Sequence, residues 1–263
     1  QEEVSKDIVP PTRLKNNWFV RPFESIVRMY GTPSYNELDP TWFVAITYMF
    51  MFGYMFGDVG QGAVFFIAGI ILTRLFRRPN LGGVFSRIGA SSMIFGVLFG
   101  SVFGNEEIIS HPLIRPMDNI NIVLLFGIAV GVIFTTVSII LNLVNSAKSH
   151  DVEDGVFGKN GLVGLIFYWT ILITALDMFN VIKLPIPLPA FYTSLCIMLV
   201  LMLIKQPLAN IIKGKKPLYN ESPGDYYVEG GFGMLETLIS MLSNTISFIR
   251  IGAFALNHVG LFI

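Results

Sequence analysis

Charge is scarce in this sequence. Only 14% of its 263 residues are Asp, Glu, Lys or Arg, where soluble domains carry about a quarter. With 53% apolar residues and a mean hydropathy of +0.63, that scarcity points to lipid as the solvent. Cysteine is nearly absent: Cys196 stands alone, which excludes a disulfide framework and a cysteine metal site. It lies in an apolar run and reads as a small core residue. Neither sign of charge is in excess, since 18 Lys and Arg balance 18 Asp and Glu. Nearly all the cations lie between the apolar blocks, so partners are sought within the membrane, and nothing suggests nucleic acid. No signal peptide heads the chain, because residues 1–40 are polar, charged and proline-containing. A first residue Gln1 and a last residue Ile263 inside an apolar run make both ends read as cut. The length alone would allow one or two soluble domains. The apolar runs, however, are too long for core helices and lack polar faces, so one membrane domain is the simpler reading.

A helix needs about 20 apolar residues to cross a hydrocarbon core of about 30 Å. The stretch 41–76 is nearly all apolar but is broken by Gly57-Asp58-Val59-Gly60-Gln61-Gly62, which predicts a reversal between helices at 41–57 and 61–76. Further spans are expected at 86–104, 120–145, 161–180 and 187–205, with a final long run at 231–263. Seven alternating crossings put fifteen of the eighteen Lys and Arg on one side, from the residues before the first span to Lys216. Only Arg115 and Lys183 fall opposite. By the positive-inside rule the basic side is cytoplasmic, so residues 1–40 form a cytoplasmic N-terminal segment and residues 41–263 the transmembrane domain. Pro79-Asn80-Leu81-Gly82-Gly83 and Pro185-Ile186-Pro187-Leu188-Pro189 read as breakers between spans. Phe-Gly-x-x-Phe-Gly recurs at 52–57, 95–100 and 99–104, setting glycines four apart on one helix face, where backbones can approach closely. Packing explains this repeat, and an old helix duplication is the alternative. The fold class is all-α and polytopic, with about seven helices.

The last run differs because polar residues recur inside it. At about 100° per residue, Glu236, Ser240, Ser243, Asn244, Ser247, Arg250, Asn257 and His258 share one arc of about 140°. Leu238, Met241, Thr245, Phe248, Ile249 and Leu256 cover the other side. From Glu236 to His258 the stripe rises roughly 33 Å, about the hydrocarbon thickness, and can line a route across it. A helix of the whole run would measure about 50 Å and must tilt or project.

Arg250 is the most informative residue. A guanidinium at mid-span costs about 3 kcal/mol on insertion scales, so it must face protein or water. Its pKa keeps it charged, which excludes a proton-carrier role and suits a fixed charge that forces a nearby carboxyl group to ionise. Glu236 is roughly 21 Å away by helical rise, so the partner carboxylate is expected on another helix or another chain. A structural ion pair is the alternative. His258 titrates near neutrality and can pass protons, or is a satisfied packing residue. Glu236 lines the route, or is an interfacial carboxylate at a helix start. At the hairpin, Asp58 with Gln61 is a possible external site, although a turn or capping role suits Asp58 better.

At these residues the chain resembles the membrane domain of the a subunit, also called subunit I, of V-type and A/V-type rotary ATPases. The likeness is carried by Pro10-Pro11-Thr12, Tyr30-Gly31 and Tyr35-Asn36-Glu37-Leu38-Asp39-Pro40. Met55-Phe56-Gly57-Asp58-Val59-Gly60-Gln61-Gly62 carries it further, as does Ser243-Asn244-Thr245-Ile246-Ser247-Phe248-Ile249-Arg250 followed by Ala253 and His258. The resemblance implies that Arg250 faces a rotating ring of proteolipid subunits, the c or K ring, whose acidic residues supply its missing partner. It implies two aqueous half-channels lined by positions such as Glu236 and His258. It also implies central-stalk and peripheral-stalk partners, no cofactor, and ATP hydrolysis on other subunits, in keeping with the lack of a phosphate-loop motif. A bacterial or archaeal plasma membrane is favoured, with a eukaryotic endomembrane as the alternative.

Two departures qualify the likeness. Gln61 stands where many relatives have histidine. The family's eighth helix, with a second arginine, and its N-terminal cytoplasmic domain are expected outside this sequence. A secondary transporter with a buried Arg, Glu and His path competes, but the hexad at 57–62 has no counterpart in the second half. A structural assembly subunit is the third reading. Whether protons or sodium move is set largely by the ring.

Overall fold

The computed structural model describes residues 12–34, 37–105, 108–109, 112–149, 151–178, 188–214 and 222–261. A 3-10 turn at Arg21–Phe23 leads into α1 (Glu24–Tyr30), followed by α2 (Thr41–Met55), α3 (Val59–Arg74), α4 (Pro79–Phe99) and α5 (Ile120–Ser149). Then come α6 (Leu162–Met178), α7 (Leu188–Leu203), α8 (Lys205–Lys213), α9 (Pro223–Ser247) and α10 (Ile249–Gly260). Among the described residues no strand forms, and the sole extended pairing is the isolated bridge Val102–Asn105. The protein is all-α and polytopic. Four helical stretches are long and apolar enough to cross a membrane, and α7 with α8 reaches that length only as a pair bent by 65°. α2 and α3 are apolar but shorter, so among the described residues four or five helical stretches have the length of a crossing where seven were expected. Large apolar side chains such as Ile67 and Ile71 on α3, or Ile239 and Leu242 on α9, are exposed, as helices in lipid require.

Several boundaries move. The third span runs over 79–99 rather than 86–104, because Pro79 opens the helix and Gly100 closes it in the left-handed conformation, φ 77°. The repeat at 99–104 therefore lies beyond the helix end, and Gly104 is a turn residue at φ 78°. The loop expected at 206–230 contains α8 and the first two turns of α9. Pro223 starts α9 about two turns before 231. The run to 263 is divided at Phe248. Cys196 is exposed on α7 rather than buried in a core, since an apolar helix in lipid has no need to hide it. The proline-rich breaker at 185–189 and the segment at 215–221 fall wholly or partly outside the described residues.

The chain forms two compact units, one made of the residues up to Gly131 with those from Phe248 onward, the other of Val132–Ser247. In the first, α3 and α4 pair along a seam of glycines seven residues apart: Gly62 and Gly69 on one helix, Gly82, Gly89 and Gly96 on the other. A Cβ at Gly62 would lie 2.8 Å from the Gly89 carbonyl oxygen, and one at Gly89 would lie 2.7 Å from that of Gly62. Backbone thus meets backbone, which only glycine permits. Against this hairpin lies α2, held by Ser91 Oγ donating to the Met49 carbonyl at 2.6 Å and Ser92 Oγ to that of Phe56. The core gathers Tyr54, Phe99, Val123, Ile251 and Ala255 from α2, α4, α5 and α10.

The second unit packs α6 and α9 against α7. Tyr168 and Thr245 share a hydrogen bond at 3.3 Å, and the Tyr226 hydroxyl donates to the Leu203 carbonyl at 2.8 Å. At one end a π-turn, Glu153–Phe157, meets α8 through Lys205, whose ammonium is 2.9 Å from Asp154 and 3.7 Å from Glu153.

Candidate functional site

On α9, Glu236, Ser243, Asn244 and Ser247 are all exposed, and Ser240 is half-buried with its hydroxyl donating to the Thr237 carbonyl at 3.1 Å. Thr237 is buried, and Leu238, Met241 and Thr245 are half-buried. The polar residues thus share the outward face of the helix with Leu235, Ile239, Leu242 and Ile246, while Thr237, Leu238, Met241 and Thr245 form its more covered face. Glu236 meets a cation that sequence reasoning did not assign to it: Lys159, from the loop before α6, lies 3.9 Å away. Both groups are more than half exposed, so their attraction is worth little in stability. Beside them opens a cavity of about 620 Å³, lined by Glu236, Lys159, Lys205, Glu229, Glu153 and Asp154 among others. The charges flanking Gly155 and beginning α8 were visible in the sequence. Only the fold brings them to Glu236.

On α10, the covered face is formed by Ile251, Gly252, Ala255, His258 and Val259, whereas Arg250 and Asn257, seven residues apart, are both exposed. Arg250 makes no ion pair and no hydrogen bond among the described residues. His258 separates from its stripe neighbours: it is 7% exposed and packs edge-on against the Phe56 ring, centroids 5.7 Å apart. Phe56 caps the C-terminal end of α2, so His258 sits at the α2–α3 reversal.

That reversal is built around Asp58, which is fully buried and is the N-cap of α3. Its carboxylate accepts four hydrogen bonds, from the amides of Gln61 (2.8 Å), Phe103 (2.9 Å) and Gly104 (2.7 Å) and from Ser101 Oγ (2.8 Å). Burial by itself would raise the pKa of this loop carboxyl; the three amides and the hydroxyl together outweigh it and hold the group below its ordinary value. Gln61 contributes its backbone amide to this cap. Ser101, Phe103 and Gly104 were missed in the sequence, where Ser101-Val102-Phe103-Gly104 reads as the end of a span. No cluster of His, Cys, Asp and Glu able to hold a metal occurs among the described residues.

Residues 1–87 match the family described as the V-type ATPase 116 kDa subunit family, a match that covers the segment through the start of α4. Beyond it, the A-type ATP synthase subunit I of Pyrococcus abyssi is 29% identical over 261 residues, 95% of this chain and 36% of its own length. The V-type ATP synthase subunit I 2 of Treponema pallidum is 36% identical over 165 residues, 52% of this chain and 36% of its own length. Along these stretches the chain is similar to the subunit a/I proteins of V-type and A-type ATPases.

Human V-type proton ATPase 116 kDa subunit a 2 is 43% identical over 72 residues, 27% of this chain and 8% of its own. The chain thus spans little more than a third of the length of these subunit I relatives. The polar residues of α9 and α10 fall in the part that the family match at 1–87 does not reach.

Proposed function

We propose that this chain is the ion-translocating membrane part of the stator of a rotary ATPase. The observation that carries the reading is Arg250: a permanent cation in an apolar span, exposed, with no carboxylate paired to it among the described residues. A charge in such a place needs a partner that arrives from outside the chain. A proteolipid ring carrying mid-membrane carboxyl groups supplies one. Each ring carboxyl group loads an ion from one half-channel and releases it into the other. As it passes Arg250 the guanidinium favours its ionised form, so ion release is coupled to rotation and leakage between the half-channels is blocked.

Glu236, with the charged cavity beside it, lines the half-channel on the basic side, and that side is cytoplasmic. Ser240, Ser243, Asn244, Ser247 and Asn257 offer hydroxyls and amides along the exposed face, suited to holding water or a hydrated ion. His258 serves the half-channel on the side of the α2–α3 reversal. ATP is cleaved by other subunits, and the central and peripheral stalks complete the stator and rotor.

Arg250→Lys in the assembled ATPase tests the reading. ATP-driven ion uptake is expected to be lost while assembly and part of the ATP hydrolysis remain, because a compact ammonium does not reproduce the planar fork. Full uptake in that variant would remove the central claim.

A further inference from the structure

A second feature of the first unit is a groove of about 670 Å³ on the outside of α2, α3 and α4. Its floor and walls are apolar, with Phe66, Ile70, Ala90 and Ile94 among them, and its only charged lining residue is Arg87 at one end. Arg87 lies eight residues into α4, so about 12 Å from the helix start, at a depth from which a long cationic side chain reaches the membrane surface. It donates to the carbonyls of Trp18, Phe19 and Gly83 and lies 5.0 Å from the centroid of the Trp18 ring. Trp18 is 76% exposed, the placement of an aromatic belt residue at the water–lipid boundary.

One turn beyond Ile70 on the same face of α3 stands Arg74, exposed, the last residue of that helix. Neither arginine pairs with a carboxylate among the described residues. An apolar slot thus runs into the hydrocarbon depth beneath two cations that lack counter-ions, roofed by an amphipathic indole.

We propose that this groove binds one anionic glycerophospholipid, its phosphate between Arg74 and Arg87 and an acyl chain laid along Ile70, Phe66 and Ile94. A zwitterionic lipid would satisfy the slot but leave the net charge of the two guanidiniums uncompensated. A protein helix would need acidic residues at one level to do what a single phosphate does. This inference needs only that the chain spans a bilayer and is independent of the role of Arg250.

The test uses the assembled ATPase reconstituted into equimolar phosphatidylglycerol and phosphatidylcholine, re-extracted in mild detergent and weighed by native mass spectrometry. The wild type should retain one more phosphatidylglycerol than the Ala90→Trp variant, which fills the slot while leaving both arginines in place. Arg74→Gln should lose the preference for phosphatidylglycerol while Trp18 and Phe19 keep their contacts to Arg87. Equal retention in wild type and Ala90→Trp, or equal retention of the two lipids by wild type, would overturn the proposal. So would loss of another subunit from the Ala90→Trp complex with its lipid count unchanged, since a protein helix would then be the occupant.

Discussion

The Tyr54 hydroxyl donates to the main-chain carbonyl of Val123 at 3.1 Å, joining α2 to the first turn of α5 across 69 positions of sequence. The same carbonyl would lie 2.8 Å from a Cβ at Gly252 on α10, so one oxygen marks where three helices converge. Tyr54→Phe keeps the ring among Phe95, Phe99 and Phe126 and removes only the hydroxyl. The expected loss is about 0.5–1.5 kcal/mol, read as a lower thermal unfolding midpoint of the purified subunit. An unchanged midpoint would mean that lipid or water replaces the bond.

Asp58→Asn places an amide NH2 where a carboxylate oxygen now accepts from Ser101 and Gly104, so at least one buried donor loses its partner. Unfolding should become easier by about 1–3 kcal/mol. Because the folded carboxyl titrates below its ordinary value of 3.8, its contribution is complete above that value and fades as pH falls through the folded pKa. Stability of the wild type should therefore not change on this account between about pH 5 and 8. A variant that folds as well as wild type but no longer takes up ions would instead give Asp58 a part in ion entry.

Gly89→Ala inserts a methyl group 2.7 Å from the Gly62 carbonyl oxygen and 2.5 Å from the Phe66 amide nitrogen. The helices must part, and the yield of folded, protease-resistant protein should fall sharply. Gly233→Ala serves as the control, since nothing lies within 4 Å of its Cβ position and alanine favours the helix by about 1 kcal/mol. Equal yields for the two would show that α3 and α4 are farther apart than the structure places them.

His258→Ala should impair uptake less than any change at Arg250, and its main signature should be an altered dependence of uptake on pH. Should the profile keep its shape while the rate falls, His258 is a packing partner of Phe56 and not a proton relay.

The helices were legible because lipid imposes a simple rule, an apolar block about as long as the bilayer is thick. The outward arc of α9 was legible for the same reason, since Glu236, Ser243, Asn244 and Ser247 repeat at the helical period. His258 obeys that period too, yet it is buried. Phe248 interrupts the helix between Ser247 and Ile249, and beyond it Arg250 and Asn257 stay exposed while His258 joins the covered face of Ile251, Ala255 and Val259. The glycine seam stood in plain view at 62, 69, 82, 89 and 96, a spacing of seven that the more conspicuous Phe-Gly pairs concealed. The partners of Asp58 could not be read at all: backbone amides carry no sequence label, and the loop that offers them looks like the end of a span.

Helices α2 and α3 have 15 and 16 residues and so rise only about 22–24 Å, while the hydrocarbon layer measures about 30 Å. Lipid beside a short hairpin thins to meet it, which draws the aqueous phase inward at the end where Asp58 turns the chain. His258, packed on Phe56 at that end, then lies closer to water than its position in the sequence of spans implies. Brevity in these two helices does for solvent access what a carved opening does elsewhere.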